Sequence, residues 1–168
     1  GNGLSDASHH EDALSVREAT LAMMRRVGSA EENLLATQGN LANSYEVLGR
    51  REQALNMRRD VYSGRLKLLG AQNIQTCSAA INYASTLVNL ERFEEAKSLL
   101  RKTAPVARRT LGESNETTLK MRLIYAQSLY DHTGATLDDI REAVAICEDV
   151  DRRARRVLGI AHPLAKDA

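Results

Sequence analysis

A chain of 168 residues, 43% hydrophobic and 27% charged, is long enough to bury a core and has the ordinary composition of a folded protein. Its net charge of +1 gives the molecule as a whole no preference for polyanions, and no apolar run approaches the ~18–20 residues that cross a bilayer. Two prolines, no tryptophan and one phenylalanine, beside abundant Ala, Leu, Glu and Arg, favour helix over sheet.

The opening GNGLSDASHH lacks the basic-then-apolar layout of an export signal. The spacing of apolar residues then predicts seven helices. The first, 9–27, starts at a capping box of Ser8 with Glu11 and stops at Gly28. The second, 31–48, starts behind Ser29 with Glu32 and carries Leu41, Ala42, Tyr45 and Leu48 on one face. After GRRE comes the third, 51–69, which contains Gly64 and ends at Gly70. A glycine inside a helix suggests close approach of a neighbouring backbone.

The fourth helix, 73–90, ends at LERFEE, and the fifth, 92–111, carries Pro105 in its middle. A helix-interior proline removes a hydrogen bond and costs about 3 kcal/mol; the register that survives across it argues for a kink rather than a break. The sixth, 115–131, lies between Gly112 and DHTG. The seventh, 137–158, starts at Thr136 with Asp139 and presents Ala143, Ile146, Val150, Ala154 and Val157 on one face before Gly159. Each stop glycine is expected at a left-handed C′ position. Cys77 and Cys147 stand apart in apolar stretches and read as reduced core thiols of an intracellular, cytoplasmic protein.

The stops keep time. RRVG ends at Gly28, KLLG at Gly70, RTLG at Gly112 and RVLG at Gly159, at steps of 42, 42 and 47 residues. GNLANSYEVLGRREQA lies over INYASTLVNLERFEEA at +42, and LIYAQSLY over the start of that copy at another +42. The extra five residues of the last copy fall between Tyr130 and Ala143. A fixed period of this size marks a helical repeat array. The organisation expected is a partial repeat at 9–27, full repeats at 31–70, 73–112 and 115–159, and the start of a further one at 160–168, opened by His162-Pro163.

YEVLGRREQA, with Tyr45, Gly49 and Ala54 behind the small Ala42, resembles the tetratricopeptide pattern. The usual period is about 34 residues; the longer repeat, with an LG stop and a His-Pro turn, resembles the kinesin light chain type. The resemblance implies an all-α fold, a right-handed superhelix of antiparallel helical hairpins, and a noncatalytic protein-interaction scaffold. It implies that first helices line a concave groove for an extended peptide. Carried over residue by residue, the groove positions are Gly39, Asn43, Glu46 and Val47 in the first full copy. Ser78, Ile81, Ser85 and Asn89 follow in the second, and Lys120, Leu123, Gln127, Tyr130 and Asp131 in the third. Their amides can donate to and accept from a peptide backbone, Ile81, Leu123 and Tyr130 suit an apolar side chain, and Glu46 and Asp131 bring carboxylates near the edge. Two family features are altered. The slot for a second groove Asn holds Gly39, Ile81 and Leu123, and of the chaperone-binding carboxylate clamp only Asn43 matches, with Ser85 and Gln127 at the later positions.

Other readings compete. The basic residues are lopsided, 18 Arg against 5 Lys, and many stand in pairs: Arg25-Arg26, Arg50-Arg51, Arg58-Arg59, Arg108-Arg109, Arg152-Arg153 and Arg155-Arg156. Near the end of a second helix such cations gain ~0.3–1 kcal/mol each from the helix dipole. The rival is a basic face for nucleic acid or acidic surfaces, opposed by Glu94-Glu95, Asp138-Asp139 and Glu148-Asp149 and by the lack of interleaved aromatics. A structural or self-associating spacer is a third reading. None of the four His makes a metal-spaced pair with another His or Cys, and there is no phosphate-cradling loop or nucleophile elbow. The sequence therefore calls for no enzyme, no metal, no cofactor and no membrane, and for a protein or peptide partner; it leaves the oligomeric state open.

Overall fold

A computed structural model describes residues 2–131 and 134–158. They form seven helices and no strand: α1 (Asn2–Arg26), α2 (Glu31–Val47), α3 (Arg51–Leu69), α4 (Ile74–Asn89), α5 (Phe93–Leu111), α6 (Glu116–Tyr130) and α7 (Leu137–Leu158). The chain divides between Gly70 and Ala71 into two compact units, α1–α3 and α4–α7. In the first, α1 and α3 both pack on α2; in the second, α4 packs on α5, α5 on α6, α6 on α7, and α4 also on α6. The expected Gly159 stop and the His162-Pro163 turn lie outside the described residues.

The repeat register is visible in the cores. Ala42, Ala84 and Ala126, at successive steps of the period, are all buried to 1% exposure or less. A methyl side chain at this slot lets neighbouring helices approach closely. Three residues on, Tyr45, Leu87 and Leu129 are buried too, as are Ala54, Ala96 and Ala143 on the second helices. The first unit gathers Leu14 and Leu21 of α1 with Leu41 and Tyr45 of α2 and Ala54 of α3. The second joins Leu119 to Val150 and Ala154, and Ala126 and Leu129 to Ala143, with Ile146 packed against both groups. Each buried leucine contributes about 1.5–3 kcal/mol relative to exposure.

Of the two expected capping boxes whose side chains are described, one forms. Thr136 N–H donates to Asp139 Oδ2 at 2.9 Å, and Asp139 N–H donates to Thr136 Oγ1 at 3.1 Å. The Ser29 box does not form: α2 has Ala30 at its N-cap, without a side-chain bond. The reason is that Ser29 belongs to the preceding stop. Its N–H reaches Met24 O at 3.0 Å while that of Gly28, at φ +68°, reaches Arg25 O at 3.3 Å, a Schellman motif. Ser8 starts nothing either, because α1 is already helical from Asn2; a capping box opens a helix only where the chain before it is not helical. The caps that do form at α4 and α6 are Asn73, accepting from Gln75 N–H at 2.8 Å, and Asn115, accepting from Thr117 N–H at 2.9 Å.

The stops come in two forms. Gly49 repeats the Schellman geometry at φ +72°, with Arg50 N–H on Tyr45 O at 2.8 Å. Gly70 and Gly112 instead occupy the C-cap itself, at φ 80° with ψ 168° and φ 94° with ψ 158°. That region is open essentially to glycine alone, so the expected left-handed C′ stop holds for Gly28 and is replaced here by a stricter requirement. Gly64 is also corrected in detail. A Cβ there would meet Leu35 Cδ2 at 2.5 Å, so the close neighbour is a leucine side chain of α2 and not a backbone. Helix α5 runs unbroken through Pro105.

Glu91 takes the slot of Gly49 one period later and adopts φ +59°, with Arg92 N–H on Leu87 O at 2.8 Å. A left-handed residue with a side chain is strained by roughly 1–2 kcal/mol. Glu91→Gly is therefore expected to stabilise the fold by about 1 kcal/mol, and Gly49→Ala to destabilise it by a similar amount, in urea unfolding followed by circular dichroism.

Candidate functional site

Helices α4 and α6 meet in the second unit, and with Cys147 of α7 they frame a cleft of about 330 Å³. Residues 120, 123, 127 and 130 recur at helical spacing, so α6 turns one face toward it. Six of the nine groove residues expected in this unit line it: Ile81, Ser85, Lys120, Leu123, Gln127 and Tyr130. Ile124 and Cys147 complete the lining without having been expected. Cys147 falls four residues after the buried Ala143, on the inward stripe of a second helix, which is the signal that could have found it.

Ile81, Leu123 and Ile124 give the cleft an apolar floor. Gln127, Ser85 and the Tyr130 hydroxyl supply hydrogen-bonding groups, and Lys120 a cation whose exposed partner is Glu116 at 2.6 Å. Tyr130 is 52% exposed, which leaves much of its ring open. Burial, with the Asp131 charge beside it, pushes its phenol pKa up, so the hydroxyl stays protonated and able to donate. The remaining expected residues are not on the lining. Ser78 spends its hydroxyl on Ile74 O at 2.9 Å, Asn89 is the exposed last residue of α4, and Asp131 accepts from Gln127 Nε2 at 3.3 Å.

In the first unit, a separate cleft of about 420 Å³ is lined by His10 and Arg17 of α1 and by Asn40, Asn43, Ser44 and Val47 of α2. Asn43 and Val47 were expected; Val47 is 63% exposed. Gly39 is half-buried with open space where a side chain would stand. Glu46 differs from expectation. Arg58 of α3 pairs with its carboxylate at 2.6 Å and donates to Asn43 Oδ1 at 3.1 Å. Arg58 lies four residues after Ala54, the slot that Leu100 and Cys147 fill in later copies. Burial lowers its pKa and the Glu46 charge opposes that shift. A core slot has thus become an ion pair, and Glu46 is no open edge carboxylate.

The arginine pairs are mostly spoken for. Arg25-Arg26, Arg108-Arg109 and Arg155-Arg156 occupy last helical turns, where the dipole favours them. Arg50 pairs with Glu11 at 3.0 Å and Arg155 with Asp151 at 2.6 Å. The densest knot is at Asp149, which accepts from Arg122 and Arg153 at 2.7 Å and from Arg152 at 2.5 Å. Burial alone would raise its pKa; the three guanidinium groups outweigh that and hold it well below the usual carboxylate range.

Among the described residues no group of His, Cys, Asp and Glu is arranged to hold a metal ion, and no helix is long and apolar enough to cross a membrane. The side chains of His9, His132 and His162 lie outside the described residues. Cys77 is buried, and burial pushes its thiol pKa up.

A depressed carboxylate pKa stabilises the fold above the unfolded pKa, near 3.9, and the gain is lost as pH falls through the lower folded value. Asp149→Asn is expected to lose about 2 kcal/mol at neutral pH. The gap to the wild type should persist at pH 5 and close only in strong acid, as read by urea unfolding across pH.

A tetratricopeptide repeat family model matches residues 34–74 and 76–116, two copies 42 residues apart in the register read from the glycines. No curated protein sequence matches the chain. Among solved structures, BtubC (BKLC) from P. vanneervenii is similar with a TM-score of 0.76 at 15% identity, over 91% of this chain and 59% of that one. Two structures of the TPR-like repeats of a kinesin light chain-type protein from Podosopora anserina give TM-scores of 0.77 and 0.75 at 20% identity. They match over 94% of this chain and 73% of theirs. The chain thus spans about three fifths of the BtubC structure. With its glycine-timed hairpins, buried alanine slots and two repeats that match the tetratricopeptide model, the chain has the fold of kinesin light chain-type tetratricopeptide repeats.

Proposed function

We propose that the chain is a protein-interaction scaffold that holds an extended segment of a partner in the cleft between α4 and α6. The observation that carries this reading is the convergence of six side chains, from two first helices one period apart, on one partly apolar cleft. An extended peptide exposes backbone N–H and C=O groups on alternate sides. Gln127 and Ser85 can serve both kinds, while Ile81, Leu123 and the Tyr130 ring shelter one apolar side chain. Tetratricopeptide arrays use such surfaces for binding, which supports the scaffold reading in general.

In this reading the repeats are 31–70, 73–112 and 115–159, the division at Gly70 falling between the first two. In the first unit the α2 residues Gly39, Asn43 and Val47 offer a separate surface of the same kind. We place the protein inside the cell, where two free cysteines stay reduced.

The test is a peptide-library selection on the full chain, with the selected peptide titrated against Lys120→Glu/Tyr130→Ala. Both side chains are exposed, so the variant is expected to keep its helical spectrum and midpoint. Loss of two contacts should weaken binding at least about tenfold. Unchanged affinity in the folded variant would contradict the assignment of the cleft.

A further inference from the structure

The second unit carries another concavity, about 350 Å³, between α5, α6 and α7. Its floor is apolar, formed by Leu100, Ala104, Pro105 and Ile146. Its rim sets three arginines against one carboxylate, Glu142. Arg101 and Arg108 stand two turns apart on one face of α5, and Arg122 enters from α6. Arg101 lies over the Tyr125 ring, 6.0 Å from its centroid, and its Nε donates to the phenol oxygen at 3.2 Å. That hydroxyl in turn donates to Glu142 Oε1 at 3.3 Å, so the guanidinium is held in place over the cleft.

The local charge is unbalanced. Arg108 has Glu113 only at 4.0 Å, while Glu113 binds Arg153 more closely at 2.8 Å. Arg122 shares Asp149 with Arg152 and Arg153. Five guanidinium groups, those of Arg101, Arg108, Arg122, Arg152 and Arg153, thus face Glu113, Glu142 and Asp149, with Glu94, which also acts on Arg101, paired to Lys97. Pro105, on the same wall, lacks an N–H, so the Arg101 carbonyl is without its regular helical donor.

We infer that this cleft docks an acidic peptide segment, with a carboxylate side chain between Arg101 and Arg108 and the adjoining apolar side chain on the Leu100–Pro105–Ile146 floor. A nucleic acid fits the same rim less well. Tyr125 is the one aromatic on the lining and Arg101 already stands over its ring, and a polyphosphate gains nothing from the apolar floor. This site is separate from the α4–α6 cleft, so failure of either assignment leaves the other standing.

The test titrates the full chain into a fluorescein-labelled peptide carrying two Glu-Leu pairs in a Gly-Ser background, followed by polarisation at low salt. Arg101→Gln/Arg108→Gln is expected to bind at least about tenfold more weakly. The charge-matched Arg51→Gln/Arg59→Gln, in exposed positions of α3, should bind within about twofold of wild type. A peptide with Gln in place of Glu should lose binding. Equal binding by wild type and the Arg101/Arg108 variant, equal loss in the α3 variant, tighter binding of an oligothymidylate than of the peptide, or no binding at low salt would each overturn the inference.

Discussion

The constraint on which the rest depends is the exit from each second helix. At Gly70 and Gly112 the chain must leave a helix with φ near +80° to +94° and a nearly extended ψ, then restart within four residues. Only glycine adopts that conformation freely. Three residues later an asparagine, Asn73 or Asn115, accepts from the N–H two positions on and opens the next helix. The interval between these stop–start units fixes where every side chain of the next hairpin falls. Helical phase is lost by a single inserted residue, a turn of about 100°.

Packing follows from that phase. A hairpin cannot bury its apolar stripe alone, so each unit closes by presenting the same slots to neighbouring helices. The methyl groups of Ala84 and Ala126 let α4 and α6 approach, and the faces beside them then converge on one cleft. The cleft is thus a by-product of the register: once Ala84 and Ala126 point into the core, Ile81, Ser85, Leu123 and Gln127 sit on an adjoining face. Where the register is kept but the residue type changes, chemistry changes with it. Arg58 in a slot filled elsewhere by Leu100 converts a core contact into an ion pair and draws Asn43 and Glu46 toward α3.

Much of this was legible in the sequence, because the signals were periodic and local. The number and order of the helices, the stops at Gly28, Gly70 and Gly112, the continuity through Pro105 and the Thr136–Asp139 box are all set by short-range stereochemistry. The misreadings have physical causes. Ser29 looks like a cap, but its N–H is consumed by the Schellman turn before it. Asn73 and Asn115 make a simpler cap that does not need a glutamate partner, so a search for reciprocal pairs passes over them. Six residues named by the family register line the α4–α6 cleft, yet that register could not show that Arg58 would claim Glu46, or that Arg101 would lie over Tyr125 beside a second cleft. Those are contacts between helices, and single-helix periodicity carries no information about which long side chain reaches across.

The most direct measurement is amide chemical-shift mapping of the isotope-labelled full chain with a peptide selected on it. Binding in the α4–α6 cleft predicts perturbations that cluster at Ile81, Ser85, Leu123 and Gln127 and spread along α4 and α6. Perturbations gathered on the second helices α3, α5 and α7, with Ser85 and Gln127 unmoved at saturation, would contradict it.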